Sequence, residues 1–193
     1  RALFGLAYDG FEGKKLDLSR DETIAKVSAF AAERLRGLVA GATSNAVADA
    51  VFAGGGADQP VYVTVRARAV HAAVTSKNAE AWLGKARTVA KRLSGISKES
   101  KPVMHQASEF ERPDDATIVE LVTKLDALTR ELDTENLVEQ ALGKAGDVAA
   151  SLDDIFTRML VNDPADPRTP KRLELLSYGA QCMLRIGDFS KLV

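Results

Sequence analysis

At 193 residues, 46% hydrophobic, 27% charged and a net charge of −1, the chain has an ordinary soluble globular composition and can bury one proper core. No apolar run approaches the ~18 residues a membrane helix needs, so nothing in the chain is expected to span a bilayer and no membrane partner is expected. The single Cys182 excludes a disulfide framework or multi-cysteine zinc site and fits a reducing, cytoplasmic setting.

The chain begins "RALFGL", without Met or a signal-peptide layout, and so reads as a piece of a longer protein. The first clear helix is "SRDETIAKVSAFAAERLRGLV". Ser19 and Glu22 have capping-box spacing there, and Ile24, Val27, Ala31, Leu35 and Leu38 recur at helical intervals. After a break at 41–45, "NAVADAVFA" reads as a short buried helix stopped by Gly54, Gly55 and Gly56. No strand precedes that triplet and no Lys-Ser/Thr follows it, so it is a helix stop and turn and not a phosphate cradle. "PVYVTVRARAV" alternates like a strand, yet Val61, Val65, Ala69 and Ala72/Ala73 also form a helical stripe behind Pro60. No second strand exists to pair its backbone, so the expectation is a helix to about Ser76.

Asn78 is placed to cap "AEAWLGKARTVAKRLSGI", whose Trp82, Ala86, Val89 and Leu93 share one face. "SKESKPVMHQASEFERP" lacks periodicity and reads as an exposed loop. A helix starting at Asp114 or Asp115 carries Ile118, Leu121, Val122, Leu125 and Leu128 as its stripe. "TENLVEQALGKAG" and "DVAASLDDIFTRMLV" read as two helices divided near residues 143–146. The proline-bearing "NDPADPRTP" makes a corner before the last helix, with Thr169 as N-cap and Pro170 as first helical residue. The sum is an all-α helical bundle of about seven helices.

Catalytic chemistry is not evident. His71 and His105 lie in different segments, and Cys182 sits in an apolar helix as an expected inert thiol. Glu109, Glu111, Asp114 and Asp115 cluster around Pro113 without the ligand spacing of a calcium loop. No metal or cofactor site is expected. Charge, by contrast, is segregated: residues 66–101 hold nine Lys/Arg against two acids, and residues 109–154 hold thirteen acids against four bases. One basic face for RNA phosphates is one reading, with Tyr62 and Phe110 as candidate stacking platforms and Trp82, on an apolar helix face, read as core ahead of platform. Two solvated faces that pair with each other is the alternative.

The C-terminal stretch "LDDIFTRMLVNDPADPRTPKRLELLSYGAQCMLRIGDFSKLV" resembles the end of the β subunit of bacterial glycyl-tRNA synthetases. Ile155-Phe156, Met159 to Val161, Arg172-Leu173, Leu175-Leu176 and Ile186 to Ser190 carry the likeness. Upstream, "NAVADAVFAGGGADQPVYVTVRARAVHAA" and "WLGKARTVAKRLSGI" are similar to preceding segments of the same domain, with Arg66 at the arginine of its Asp-Ala-Leu-Arg (DALR) motif. Thr64-Val65 replace the rest of that motif, Lys91 and Lys171 replace family asparagines, and Pro164, Pro167 and Pro170 rewrite the acidic turn.

The resemblance implies N-terminal helices over 1–42 leading into a DALR-type anticodon-binding bundle over 43–193. It implies binding of the anticodon stem-loop of tRNA-Gly, without catalysis in this segment. Glycine activation with ATP and magnesium would belong to the α subunit, the partner in a tetramer of two α and two β subunits. Glycine codons begin GG, so the anticodon carries two cytosines. The RNA-binding candidates are Arg66, Arg68, Lys85, Arg87, Lys91 and Arg92, with Asn162, Asp163, Arg168, Lys171 and Arg172 at the corner. Lys91 and Lys171 suit phosphate contact in place of base reading. The alternative function is a structural or assembly domain of the synthetase.

Overall fold

Apolar residues spaced three and four apart bury one face of each long segment, and helices are the outcome throughout. The computed structural model describes residues 2–192. It contains α1 (Ala2–Asp9), α2 (Arg20–Ala42), α3 (Asn45–Ala53), α4 (Pro60–Val74), α5 (Ala79–Glu99), α6 (Pro113–Thr129), α7 (Glu135–Arg158) and α8 (Thr169–Ile186). Short 3-10 turns occur at Ala107–Glu109 and Phe189–Lys191, and no strand is present among the described residues.

Four helices close a ring in which α5 packs on α7, α7 on α6, α6 on α8 and α8 back on α5. Its interior is filled by Ala86, Val89 and Leu93 of α5, Ile118, Val122 and Leu125 of α6, Ala145, Val148 and Leu152 of α7, and Leu175, Leu176 and Met183 of α8. Outside the ring α4 lies on α7, and α3 bridges α4, α2 and the Phe189–Lys191 turn. The capping box at Ser19 and Glu22 forms, and α1 packs on α2.

Several boundaries differ from the sequence reading. Residues 135–158 are one helix and not two. Gly146 is a point of close approach within it, where an added Cβ would sit 3.3 Å from the Trp82 Cβ. The buried face of α4 runs through Val63, Ala67 and Val70, so Val61 is exposed and Val65 half-buried. On α2, Val27 and Leu38 of the expected stripe are also exposed. The last helix begins at Thr169 with Arg168 as N-cap; the Thr169 hydroxyl donates to the Asp163 carbonyl (2.6 Å) and does not cap.

The glycine triplet does more than stop α3. A Cβ on Gly54 would overlap the Leu184 carbonyl oxygen, so the end of α3 can reach the end of α8 only without a side chain there. Gly55 and Gly56 then turn the chain with φ of 81° and 89°. The Asp188 amide donates to the Ala50 carbonyl at 2.8 Å and closes this contact.

Two buried ionic groups tie the helices together. Arg172, fully buried, donates from Nε and Nη2 to the carboxylate of Asp115 at the start of α6. It also donates to Asp166 (2.5 Å) and to the Val161 carbonyl (3.1 Å). Asp126 of α6 accepts from Arg185 (2.7 Å), Tyr178 (3.0 Å) and Arg130 (2.5 Å). Burial works against its charge, but these three donors outweigh it and hold the carboxyl down at about 2.

Gly54→Ala is expected to lower stability by about 2–3 kcal/mol, whereas Gly95→Ala, with open space around it in α5, should raise it by ~0.5–1 kcal/mol; urea unfolding of both variants checks the pair. Arg172→Met should cost about 3–5 kcal/mol, because Asp115 is left buried without its cation. Asp126 is depressed in the folded state, so its contribution is intact above the ordinary carboxylate value of 3.8 and drains as pH falls toward 2. Urea midpoints measured between pH 7 and 2 should therefore fall on the acid side, and Asp126→Asn should make that fall shallower while starting lower.

Candidate nucleic-acid interface

Because Ala86, Val89 and Leu93 point into the ring, the charged residues of α5 must leave from its other sides. Lys85 and Arg92 lie on the flank toward α7. The Lys85 Nζ stands 3.8 Å from Asp154, and the Arg92 guanidinium lies 5.5 Å from the centre of the Phe156 ring. Arg87, Lys91 and Lys98 recur at helical spacing on the opposite flank, and among the described residues none has a carboxylate within ion-pair distance. Of these Arg87 is half-buried and Lys91 and Lys98 are exposed; Lys77 and Lys101, at the two ends of the helix, are exposed and unpaired among the described residues. On α4, Arg68 is exposed and reaches Glu135 only at 3.5 Å. Cations thus line both flanks of α5 and continue on α4 as a broad strip, some unpaired among the described residues and the rest held by long contacts.

Arg66 is not part of that strip. It is 7% exposed, and its Nη1 and Nη2 donate to the carbonyls of Arg185 (2.6 Å) and Gly55 (2.9 Å). Burial lowers its pKa, and among the described residues its Nε has no partner. The motif arginine therefore caps the C-terminal end of α8, where the helix dipole favours a positive charge, and pins the glycine turn.

The proline corner is tied to the loop before α6, not to α4 or α5. Lys171 donates to Glu109 (2.6 Å), Arg168 to Glu111 (3.1 Å), Arg158 to Asp114 (2.6 Å), and Arg172 to Asp115 as described. Asp163 accepts from Arg112 (3.3 Å) and, through its other oxygen, from the Ala165 amide (3.0 Å). Asn162 is exposed. No hydrogen bond or ion pair among the described residues joins the corner candidates to the α4–α5 strip. The structure therefore brings Arg68, Lys85, Arg87, Lys91 and Arg92 onto one pair of helices. It gathers Asn162, Asp163, Arg168 and Lys171 at a second, internally neutralised place, and puts Arg66 and Arg172 in the interior.

The Lys171 hydrogen bond first, then the Gln106 amide and His105, hold Glu109 down at about 2. His105 is buried between that carboxylate (3.3 Å) and Glu174 (2.8 Å), an arrangement the loop reading did not anticipate. The sequence signal for it existed: an acidic block at 109–115 and a basic block at 158–172 each flank prolines. Among the aromatic candidates, Tyr62 is 44% exposed, Phe110 stands edge-on to His105, and Trp82 stands edge-on to Phe189 with ring centres 6.1 Å apart. Cys182 is buried, which pushes its thiol up to about 11 and makes it a poor nucleophile.

Among the described residues no helix is long and apolar enough to cross a membrane. No family model matches the chain. All of it is 28% identical, over 196 residues, to the glycine–tRNA ligase beta subunit of Desulforamulus reducens. The chain spans 27% of that curated relative, and the match makes it a distant relative of an aminoacyl-tRNA synthetase subunit.

Proposed function

We propose that the chain is the tRNA-binding module of a glycine–tRNA ligase β-type subunit, and that it holds the anticodon stem-loop of tRNA-Gly against α4 and α5. The observation that carries this reading is the cationic strip itself. On α5, Arg87, Lys91 and Lys98 share one flank with no carboxylate within ion-pair distance among the described residues, which leaves that flank open to an anionic partner. Phosphates supply the missing anions, and their condensed counterions are released on binding. The distant match to a glycine–tRNA ligase β subunit supports the choice of RNA over other polyanions.

In this reading Arg68, Lys85, Arg87, Lys91 and Arg92 follow the phosphates. The corner residues Asn162, Asp163, Arg168 and Lys171 lie at the margin, and Arg66 and Arg172 shape the fold without touching RNA. The module acts in the cytoplasm as the DALR-type, non-catalytic part of the ligase, while ATP and magnesium act in the α subunit of a two-α, two-β assembly. A second reading, an assembly domain that binds other parts of the synthetase, draws on Leu3, Leu6, Phe30 and Leu38. These apolar side chains of α1 and α2 are 60–73% exposed.

Joint reversal of Arg87, Lys91 and Arg92 to Glu should weaken binding of a tRNA-Gly anticodon stem-loop at least ~10-fold at low salt. It should also flatten the dependence of log K on log salt by about 0.7 for each phosphate no longer neutralised. Unchanged affinity in a gel-shift titration, together with co-elution of the wild-type chain with the α subunit, would instead establish the assembly reading.

A further inference from the structure

A cleft of about 270 Å³ opens where α4, α5 and α7 meet, and one of its walls is Trp82. Its other sides are Ala72 and Ala73 of α4, Ser76 just beyond it, and Glu139, Leu142 and Gly143 of α7, so Leu142 is the one large aliphatic side chain beside the indole. The indole is fixed from behind by its edge-on contact with Phe189 and by the close approach of Gly146. Here alanines and glycine leave it half-buried beside open space.

The polar groups in the cleft accept hydrogen bonds. Glu139 is exposed and has no cation or donor partner among the described residues. The Ser76 hydroxyl donates its proton to the Ala73 carbonyl (2.8 Å) and keeps its lone pairs free. Cations flank the opening, each in a long, exposed contact that a phosphate could replace: Arg68, one helical turn before Ala72, stands 3.5 Å from Glu135, Lys85, one turn after Trp82, stands 3.8 Å from Asp154, and Lys144, next to Gly143, stands 3.7 Å from Asp147. An aromatic wall, a carboxylate acceptor and a cationic rim together suit one ligand chemistry, a flat ring that donates hydrogen bonds and carries a phosphate backbone. Stacking needs the ring, the acceptor needs an amino group, and the rim needs the phosphates.

We propose that this cleft receives a single unstacked nucleobase bearing an exocyclic amino group, with cytosine as the base it takes from the bound loop. The base stacks on Trp82, and its amino group donates to Glu139. Uracil presents a carbonyl at the same place and meets the carboxylate as a repelled acceptor. This site rests on the RNA-binding reading above and deepens it.

The test uses the fact that the chain has one tryptophan, so indole emission reports on this cleft alone. Titrating wild-type chain with a tRNA-Gly anticodon stem-loop should quench that emission in step with binding. Gly143→Leu fills the cleft from an exposed helical position where an added Cβ has nothing within 4 Å. It should leave the thermal midpoint unchanged or raised, abolish the quench and weaken binding ~10-fold or more. Glu139→Gln should keep the quench but reduce the preference for a cytosine loop over a uracil-substituted loop by ~10-fold. Binding without any change in indole emission, or equal binding by folded Gly143→Leu, overturns the cleft and leaves the cationic strip standing. No binding by wild-type chain, measured by anisotropy of a labelled stem-loop, overturns both.

Discussion

The guanidinium of Arg172 has no exposure to solvent, yet it belongs to three parts of the chain at once. It sits in the first turns of α8, holds Asp115 in the first turn of α6, and holds Asp166 and the Val161 carbonyl inside the proline corner. Removing a charge from water is costly, and only a complete set of partners offsets it. That requirement makes the group a registration device: α6, α8 and the corner must arrive together or the charge is stranded. It also resolves the apparent conflict of Lys171 and Arg172 at a helix start, where the macrodipole disfavours cations. Carboxylates of Glu109, Asp115 and Asp166 stand beside them and reverse the local sign.

The opposite end of α8 is held by the opposite logic. There the exposed carbonyls carry the negative end of the dipole, and the buried Arg66 donates to one of them. Its second bond, to the Gly55 carbonyl, fixes the turn that lets Gly54 slide under the Leu184 carbonyl. One helix is thus clamped at both ends by arginines 106 positions apart in sequence, one matched by carboxylates and the other by backbone. With α8 fixed, the ring α5–α7–α6–α8 closes, and the outward faces of α5 and α4 are presented on a rigid support.

Much of this is legible in the sequence, and the failures share a cause. The faces of α5 and α6 follow from periodicity, since Ala86, Val89, Leu93, Ile118, Val122 and Leu125 are all buried as spaced. The cations of α5 follow as well, because whatever is excluded from an apolar stripe must face water. Arg66 and Arg172 do not follow. Periodicity places arginine outside, and their partners are far away in sequence, Asp115 at 57 positions from Arg172 and Arg185 at 119 from Arg66. The α4 face lies one step from its periodic reading for the same reason: choosing Val63 and Ala67 means accepting Arg66 inside. Glycine misleads in the other direction, since Gly146 looks like a break and is instead the space that Trp82 fills.

The same long-range pairing decides which charges are available to a partner. Counted along the chain, residues 109–154 form a strongly acidic block. In space Glu109, Glu111, Asp114 and Asp115 are each taken by a cation from 158–172, and Asp126 by Arg130 and Arg185. A polyanion that approached the corner would have to displace carboxylates already bonded at 2.6 and 3.1 Å to Lys171 and Arg168. On α4 and α5 it meets contacts of 3.5 and 3.8 Å at Arg68 and Lys85, and, among the described residues, no carboxylate within ion-pair distance of Arg87 or Lys91. Long exposed pairs contribute little and are screened by salt, so breaking them costs almost nothing. The corner and the strip hold similar residues, but the corner's cations already have carboxylate partners at hydrogen-bond distance, which is why the proposed phosphate contacts fall to the strip.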